Sequence, residues 1–481
     1  MITIDWIILT AFFIVLLGTG IWSYRKKVRD TTDFFVAGGK LPWWLAGISH
    51  HVSGHSGAVF VAYAALAYTY GISVWFWWAL TIFTALMIGS FFLPPAWVRL
   101  RQKYHIQSPT EYLAWRYNIP TQQIIAWSGI LLKLFDIAAK WAAMGILLNG
   151  FTGMPVVAGI ILAGGISMIY VSLGGLWADV MNDFFQFIIQ VTGGIIMLVI
   201  VVNKLGGLHE AATIWNRLPS VHSNPVAPPY TIWFVLTFLA LNFLSYNGGT
   251  WNLATRFIAQ SSEKSAKKSV RLSALLYLIW PFVLFYPMWC CPLLFPGLED
   301  PEQSYAIMAR ELLPAGLVGL VLASMFANTL TMTSSDSNTI TAVLSRDVIP
   351  VIFRGRTGNS KVPLRIARII SFTFILVTII IALNASSFGG VLGLIISWFA
   401  ALLGPVAIPM VLGILPAFNR MDYRAALAAI GTGFITFVVT KNLVSISLAA
   451  EIGSPVVVAF ISFCLWGLLI SGRSHKIKNH V

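Results

Sequence analysis

The sequence predicts an all-α membrane protein of about 13 transmembrane helices, built around two five-helix repeats of inverted orientation. Three observations lead there. Apolar residues make up 58% of the chain, charged residues only 10%, and the mean hydropathy is +0.81. Soluble chains carry roughly a quarter charged residues, so this composition excludes a soluble enzyme, a disordered tail and a disulfide scaffold. Apolar runs long enough to cross a bilayer recur along the whole chain. Two of them, five spans apart, are interrupted by glycine-rich polar segments.

Each span rests on a run of roughly 20 apolar residues, the length that crosses the hydrocarbon core. Such runs begin near Ile4, Trp44, Trp75, Ile124, Pro155, Val180, Tyr230, Leu272, Leu313, Arg368, Gly389, Tyr423 and Ser454. The first is too long for a removed signal and lacks a cleavage site, so it reads as a span. The longest connections, around Lys204–Pro229 and Ser345–Arg365, leave no soluble domain. The chain is thus one domain in four parts: a peripheral first helix and loop (1–43), a first five-helix repeat (44–203), a second (230–415), and two peripheral helices with a tail (416–481).

The net charge is +14. With the N-terminus outside, about 25 basic residues fall in inner loops, and the positive-inside rule then sets N-out, C-in. They run from Arg25, Lys26, Lys27, Arg29 and Lys40, through Arg99, Arg101, Lys103 and Arg116, to Arg256, Lys264, Lys267, Lys268 and Arg271. Arg346, Arg354, Arg356, Lys361, Arg365, Arg368, Arg420, Arg424, Arg473, Lys476 and Lys478 complete them. Outside lie Lys204, Arg217, Arg310 and Lys441. The surplus is therefore a topology signal, and no nucleic-acid partner is expected.

Polar residues inside spans are costly and usually functional. The second span contains GISHHVSGHSG (47–57), poor material for a helix facing lipid. Broken backbone is tolerated at that depth only where it lines a cavity or site, and its freed carbonyls can hold a cation. The seventh contains NFLSYNGGTWN (242–252), with Asn247-Gly248-Gly249 as a mid-span turn signal. The ninth contains TLTMTSSDSNT (329–339), in which Thr331, Ser334, Ser335 and Asn338 share one helical face. Rows of hydroxyl oxygen suit a hard monovalent cation; they also serve helix packing. Asp183, one turn into the sixth span, would supply the neutralising carboxylate, with Asp179 nearer the inner interface. Asp336 lies off the hydroxyl face. Asp136 and Lys140 form an i, i+4 opposite-charge pair, read chiefly as structural.

His51 and His55 have the i, i+4 spacing of two metal ligands, and His50 adjoins them. A transition-metal enzyme would need further ligands, and His105, His209, His222, His475 and His480 are isolated. No transition metal is expected, and a histidine in the solute path is the better reading. Cys290, Cys291 and Cys464 sit in apolar runs and read as core.

Five stretches together resemble the sodium:solute symporter family: DFFVAGGKLPWW (33–44), SPTEYLAWRY (108–117), Gly174-Gly-Leu with DFFQ (183–186), Trp251 with RFIA (256–259) and the basic run that follows, and the ninth span ending at Arg346-Asp347. The resemblance implies a LeuT-like fold and alternating access driven by sodium. Aligned on it, sodium-binding carbonyls fall at Val52 and His55, and paired hydroxyl ligands at Thr331 and Met332. Met332 departs from the pattern, because a thioether is a poor sodium ligand. A further sodium site of some members matches Asp183, Ser334 and Ser335.

The resulting expectation is a sodium-coupled importer of a small polar organic solute, a sugar, polyol or organic acid, in the cell membrane. Sodium is the expected cofactor, and the bilayer, the solute and sodium the expected partners, with the protein a monomer or weak oligomer. Solute contacts are expected at His51, His55, Val59, Trp78, Asn242, Tyr246 and Asn247, beside the two breaks. A proton-coupled symporter using Asp183, Asp336 or a histidine is the principal alternative. A non-transporting sensor or a metalloenzyme is a weaker one.

Overall fold

The computed structural model describes residues 2–26, 31–173, 175–354, 364–385, 403–442 and 446–470. They form helices almost throughout; the one β-bridge joins Leu41 to Gln260. The main helices are α1 (Thr3–Lys26), α2 (Trp43–Val52), α3 (Ala62–Tyr70), α4 (Thr81–Gly89), α5 (Leu93–Tyr104) and α6 (Ile119–Thr152). There follow α7 (Val156–Leu173), α8 (Leu176–Leu205), α9 (Ile232–Leu244), α10 (Trp251–Ile258) and α11 (Glu263–Leu294). The last are α12 (Leu317–Val343), α13 (Leu364–Ala382), α14 (Tyr423–Asn442) and α15 (Leu448–Ile470).

Among the described residues, seven helices are long and apolar enough to cross a bilayer unaided. Counting each bent pair, Gly57–Tyr70 with Trp75–Gly89 and Ile119–Thr152 with Val156–Ile169, as one span gives nine. The eleventh expected span, from Gly389, lies largely outside the described residues. The ninth expected span, α12, runs on through Leu344–Val348 and Ile349–Arg354, so residues 345–354, expected in a loop, are helical.

Both expected breaks are present. The second span divides into α2, a turn at residues 53–56, a short 3-10 segment Gly57–Phe60, and α3. At Gly54 an added Cβ would run into the Tyr277 hydroxyl and the Tyr246 ring. The seventh divides into α9, a widened turn Ser245–Gly249, and α10. There Gly248 takes φ 127°, which L side chains rarely adopt. We expect Gly54→Ala to cost about 1–3 kcal/mol through overpacking; a melting curve in detergent matching the wild type would refute that crowding.

The stretches singled out in the sequence meet one another. Ser108 and Thr110 hydroxyls donate to Asp347 at 2.5 and 2.6 Å, and Arg346 forks onto Glu111 at 2.7 and 3.0 Å. The Leu41 amide donates to the Ala259 carbonyl, and Arg101 to that of Gln260. Asp5 accepts from the amides of Gly316 and Gly319, so a carboxylate from α1 caps the N-terminus of α12. Within this frame α12 packs along α8 and α2 along α11, where the candidate sites form.

Candidate functional site

At the second-span break, the carbonyls of His51, Ser53 and Gly54 accept hydrogen bonds from Tyr277, Asn252 and Tyr246 respectively. Those of Val52 and His55 accept none among the described residues. Buried carbonyls are seldom left unpaired, so these two are available to a cation. His50 is fully engaged, with Ser273 at 2.7 Å and the Tyr246 carbonyl at 3.1 Å. It ties the first break to the second and to α11.

Beside the break lies a buried charge cluster. Arg256 on α10 is fully buried and reaches Asp179 at 2.7 Å and Asp183 at 3.2 Å, both on α8. Ser49 and Ser53 hydroxyls donate to Asp183, Ser334 donates to Asp179, and Ser335 donates to Asp179 at 2.8 Å. Ser335 also lies 3.1 Å from Ser53. Two carboxylates against one guanidinium leave a formal charge of −1. Asp183 Oδ1 is buried with no hydrogen-bond partner. In low dielectric such an oxygen needs a proton or a cation.

These contacts correct several expectations. Arg256, counted among inner-loop charges, is buried inside the bundle. Ser334, paired in expectation with Asp183, bonds Asp179 instead. The Thr331 hydroxyl turns to Gln186 on α8, while Met332 lines the cavity between the two breaks. The α12 hydroxyls that touch the break are Ser335 and Thr329, which accepts from the Gly57 amide at 3.0 Å. Thr329 was missed; it belongs to the same hydroxyl-rich segment, one helical turn before Thr333.

Between the breaks is a cavity of about 110 Å³. Rings of Tyr63, Trp77, Trp78, Tyr230, Phe234, Phe238 and Tyr246 line it, with His55, Val59, Asn242, Asp136, Lys140 and Met332. A smaller space of about 60 Å³ lies beyond, lined by Ser128, Lys133, Asp136, Thr250 and Trp251. Gly54, Asp136, Tyr246 and Met332 border both. The His55 Nε2 has no partner among the described residues. Asn242 donates to Thr81 at 2.8 Å, which fixes its amide at the cavity edge.

Of the expected solute contacts, His55, Val59, Trp78, Asn242 and Tyr246 line this cavity. His51 and Asn247 do not. His51 packs among Tyr277, His55 and Phe187 rings, with both ring nitrogens unpartnered. Asn247 donates to the Ala85 and Phe243 carbonyls and presses on Gly89, because the turn at Gly248 swings it toward α4. Of the aromatic wall, the sequence reading had Trp78 and Tyr246 and missed Tyr63, Trp77, Tyr230, Phe234 and Phe238.

The Asp136–Lys140 pair proves to be half of a quartet. Lys133 Nζ reaches Asp136 at 2.9 Å and Asp336 at 2.7 Å; Lys140 Nζ reaches the same two at 3.0 and 2.8 Å. The quartet is formally neutral and joins α6 to α12.

Comparison with known proteins agrees with this architecture. The chain is 25% identical to the sodium/glucose cotransporter of Vibrio parahaemolyticus, over 74% of this chain and 71% of that protein. It is 26% identical to the human sodium/iodide cotransporter, over 88% and 68%. It shares its fold with a substrate-bound, outward-open Na+-coupled sialic acid symporter, at TM-score 0.81 and 21% identity over 98% of both chains. Residues 34–433 match the sodium:solute symporter family, and the protein belongs to that family of sodium-coupled, multi-pass membrane transporters.

Proposed function

We propose that this symporter imports a small polar organic solute, a sugar, polyol or organic acid, across the cell membrane. The N-terminus lies outside and the C-terminus inside, and residues 44–203 and 230–415 form inverted five-helix repeats whose broken members frame the solute. The observation that carries this reading is the ring-lined cavity between the two breaks, with a few fixed polar groups at its edge. Such a lining suits a solute with apolar faces and a polar rim. Relatives named for glucose and sialic acid fall within this range and do not choose between its members, and one named for iodide lies outside it.

Sodium binds at two places. One is formed by the carbonyls of Val52 and His55 with the α12 hydroxyl of Thr329, because the Thr331 hydroxyl turns to Gln186. The other is the Asp183 cluster with Ser334 and Ser335, whose charge of −1 a single sodium would cancel. Each sodium gains about 2.3 kcal/mol per 100 mV of membrane potential. A tenfold gradient adds about 1.4 kcal/mol.

The test is uptake into proteoliposomes from sodium or choline buffer, with labelled sugars, polyols and carboxylates. Equal uptake in both buffers would defeat the proposal. A second reading, proton coupling, is favoured by the unpartnered Asp183 Oδ1, which a proton would also satisfy; uptake that follows a pH gradient without sodium would establish it. Asp183→Asn should raise the sodium concentration for half-maximal uptake about tenfold or more, with solute affinity little changed. Unaltered sodium dependence would remove Asp183 from the cation site.

A further inference from the structure

We propose that Asp136, held between Lys133 and Lys140, makes the cavity select a neutral hydroxyl-bearing solute over the carboxylate of the same carbon frame. This deepens the reading above and rests on it.

Both lysines converge on one oxygen of Asp136, Oδ2, at 2.9 and 3.0 Å. Asp136 Oδ1 carries no hydrogen bond among the described residues, and its side chain, 23% exposed, is the open member of the quartet. Asp336 is fully buried and takes one contact from each lysine. An ammonium group has three N–H donors. Each lysine therefore keeps one, Lys140 at the larger cavity and Lys133 at the smaller. Because Asp136 borders both cavities, its one free oxygen, Oδ1, is the acceptor between them, beside Lys140 of the larger and Lys133 of the smaller.

A hydroxyl fits that pair, donating to Oδ1 and accepting from the lysine. A carboxylate is acceptor-only. It would set its lone pairs and charge against Oδ1, in a water-poor cavity where like charges cost most. No net positive charge in the quartet offsets this. The Trp77, Trp78 and Tyr63 rings then face the C–H surfaces of the solute. The same hydroxyl contact recurs as the solute passes from Lys140 to Lys133.

The test uses the full-length protein in nanodiscs with saturating sodium, titrated calorimetrically with three matched pairs: glucose and glucuronate, glycerol and glycerate, 1,2-propanediol and lactate. In each pair that binds, the wild type should prefer the neutral member by about tenfold or more. Asp136→Asn, whose quartet carries +1, should move the ratio about tenfold toward the acid. Lys140→Gln, whose quartet carries −1, should move it further toward the alcohol, and stands in if Asp136→Asn does not fold. Asp136→Glu should keep the wild-type preference. Three results would overturn the proposal: acids binding as tightly as alcohols, ratios unmoved by both charge changes, or no pair binding. Sodium-dependent uptake of another solute would then leave the transport reading standing. Equal uptake in sodium and choline would defeat that reading without touching the measured ratios.

Discussion

Replacing Asp336 by alanine should destabilise the protein by about 3–5 kcal/mol, the cost of stranding buried charge. Asp336 is fully buried, and both Lys133 and Lys140 lean on it. Without it two lysines, themselves nearly inaccessible, share the single carboxylate of Asp136. The interior between α6 and α12 then carries +1. Removing a second charge should repair part of the damage: Asp336→Ala with Lys133→Gln leaves one matched pair, Asp136 with Lys140. The measurement is thermal unfolding in nanodiscs of the wild type, the single and the double variant. A single variant that melts with the wild type would mean that the lysines are hydrated and that the quartet does not hold the two helices together.

Arg256→Ala should have a comparable effect, with a different signature. The substitution leaves Asp179 and Asp183 buried together at −2, with only hydroxyl donors from Ser49, Ser53, Ser334 and Ser335. In choline chloride the expected loss is again about 3–5 kcal/mol. Sodium should recover a larger share of stability in the variant than it adds to the wild type, because a small cation can take the place of the guanidinium. The comparison is melting temperature against sodium concentration for both proteins at fixed ionic strength. Identical sodium increments would separate this cluster from the sodium site proposed here.

The two breaks were legible in the sequence because composition alone carries the constraint. A stretch such as residues 47–57 cannot pack against lipid as a regular helix, and glycine tolerates the turn that replaces it. Gly54 and Gly248 sit where those turns form, the first hemmed in by Tyr277 and Tyr246 and the second at positive φ. The hydroxyl face of the ninth span was legible through its helical period. Thr331, Ser334 and Ser335 all turn toward α8, and Asp336 points elsewhere, to the lysines of α6. The i, i+4 relation of Asp136 and Lys140 was legible for the same reason.

Partners distant in sequence were not legible. Arg256 precedes a run of loop lysines and looked like one of them; packing of α10 against α2, α5 and α12 buries it, and its side chain reaches two aspartates of α8. Asn247 adjoins the break in sequence, yet the turn carries it onto α4, away from the cavity. Trp77, Tyr230 and Phe234 look like any membrane-span residues until α9 and the helical segment Trp75–Leu80, which leads into α4, set them around one space. By itself the sequence determined the membrane class, the positions of the breaks and the faces of single helices, because hydropathy and periodicity act over a few turns. Only the tertiary structure decided which charge meets which and which rings share a cavity. The bilayer obliges every buried charge to find a partner, and the choice of partner depends on distances that local sequence does not contain.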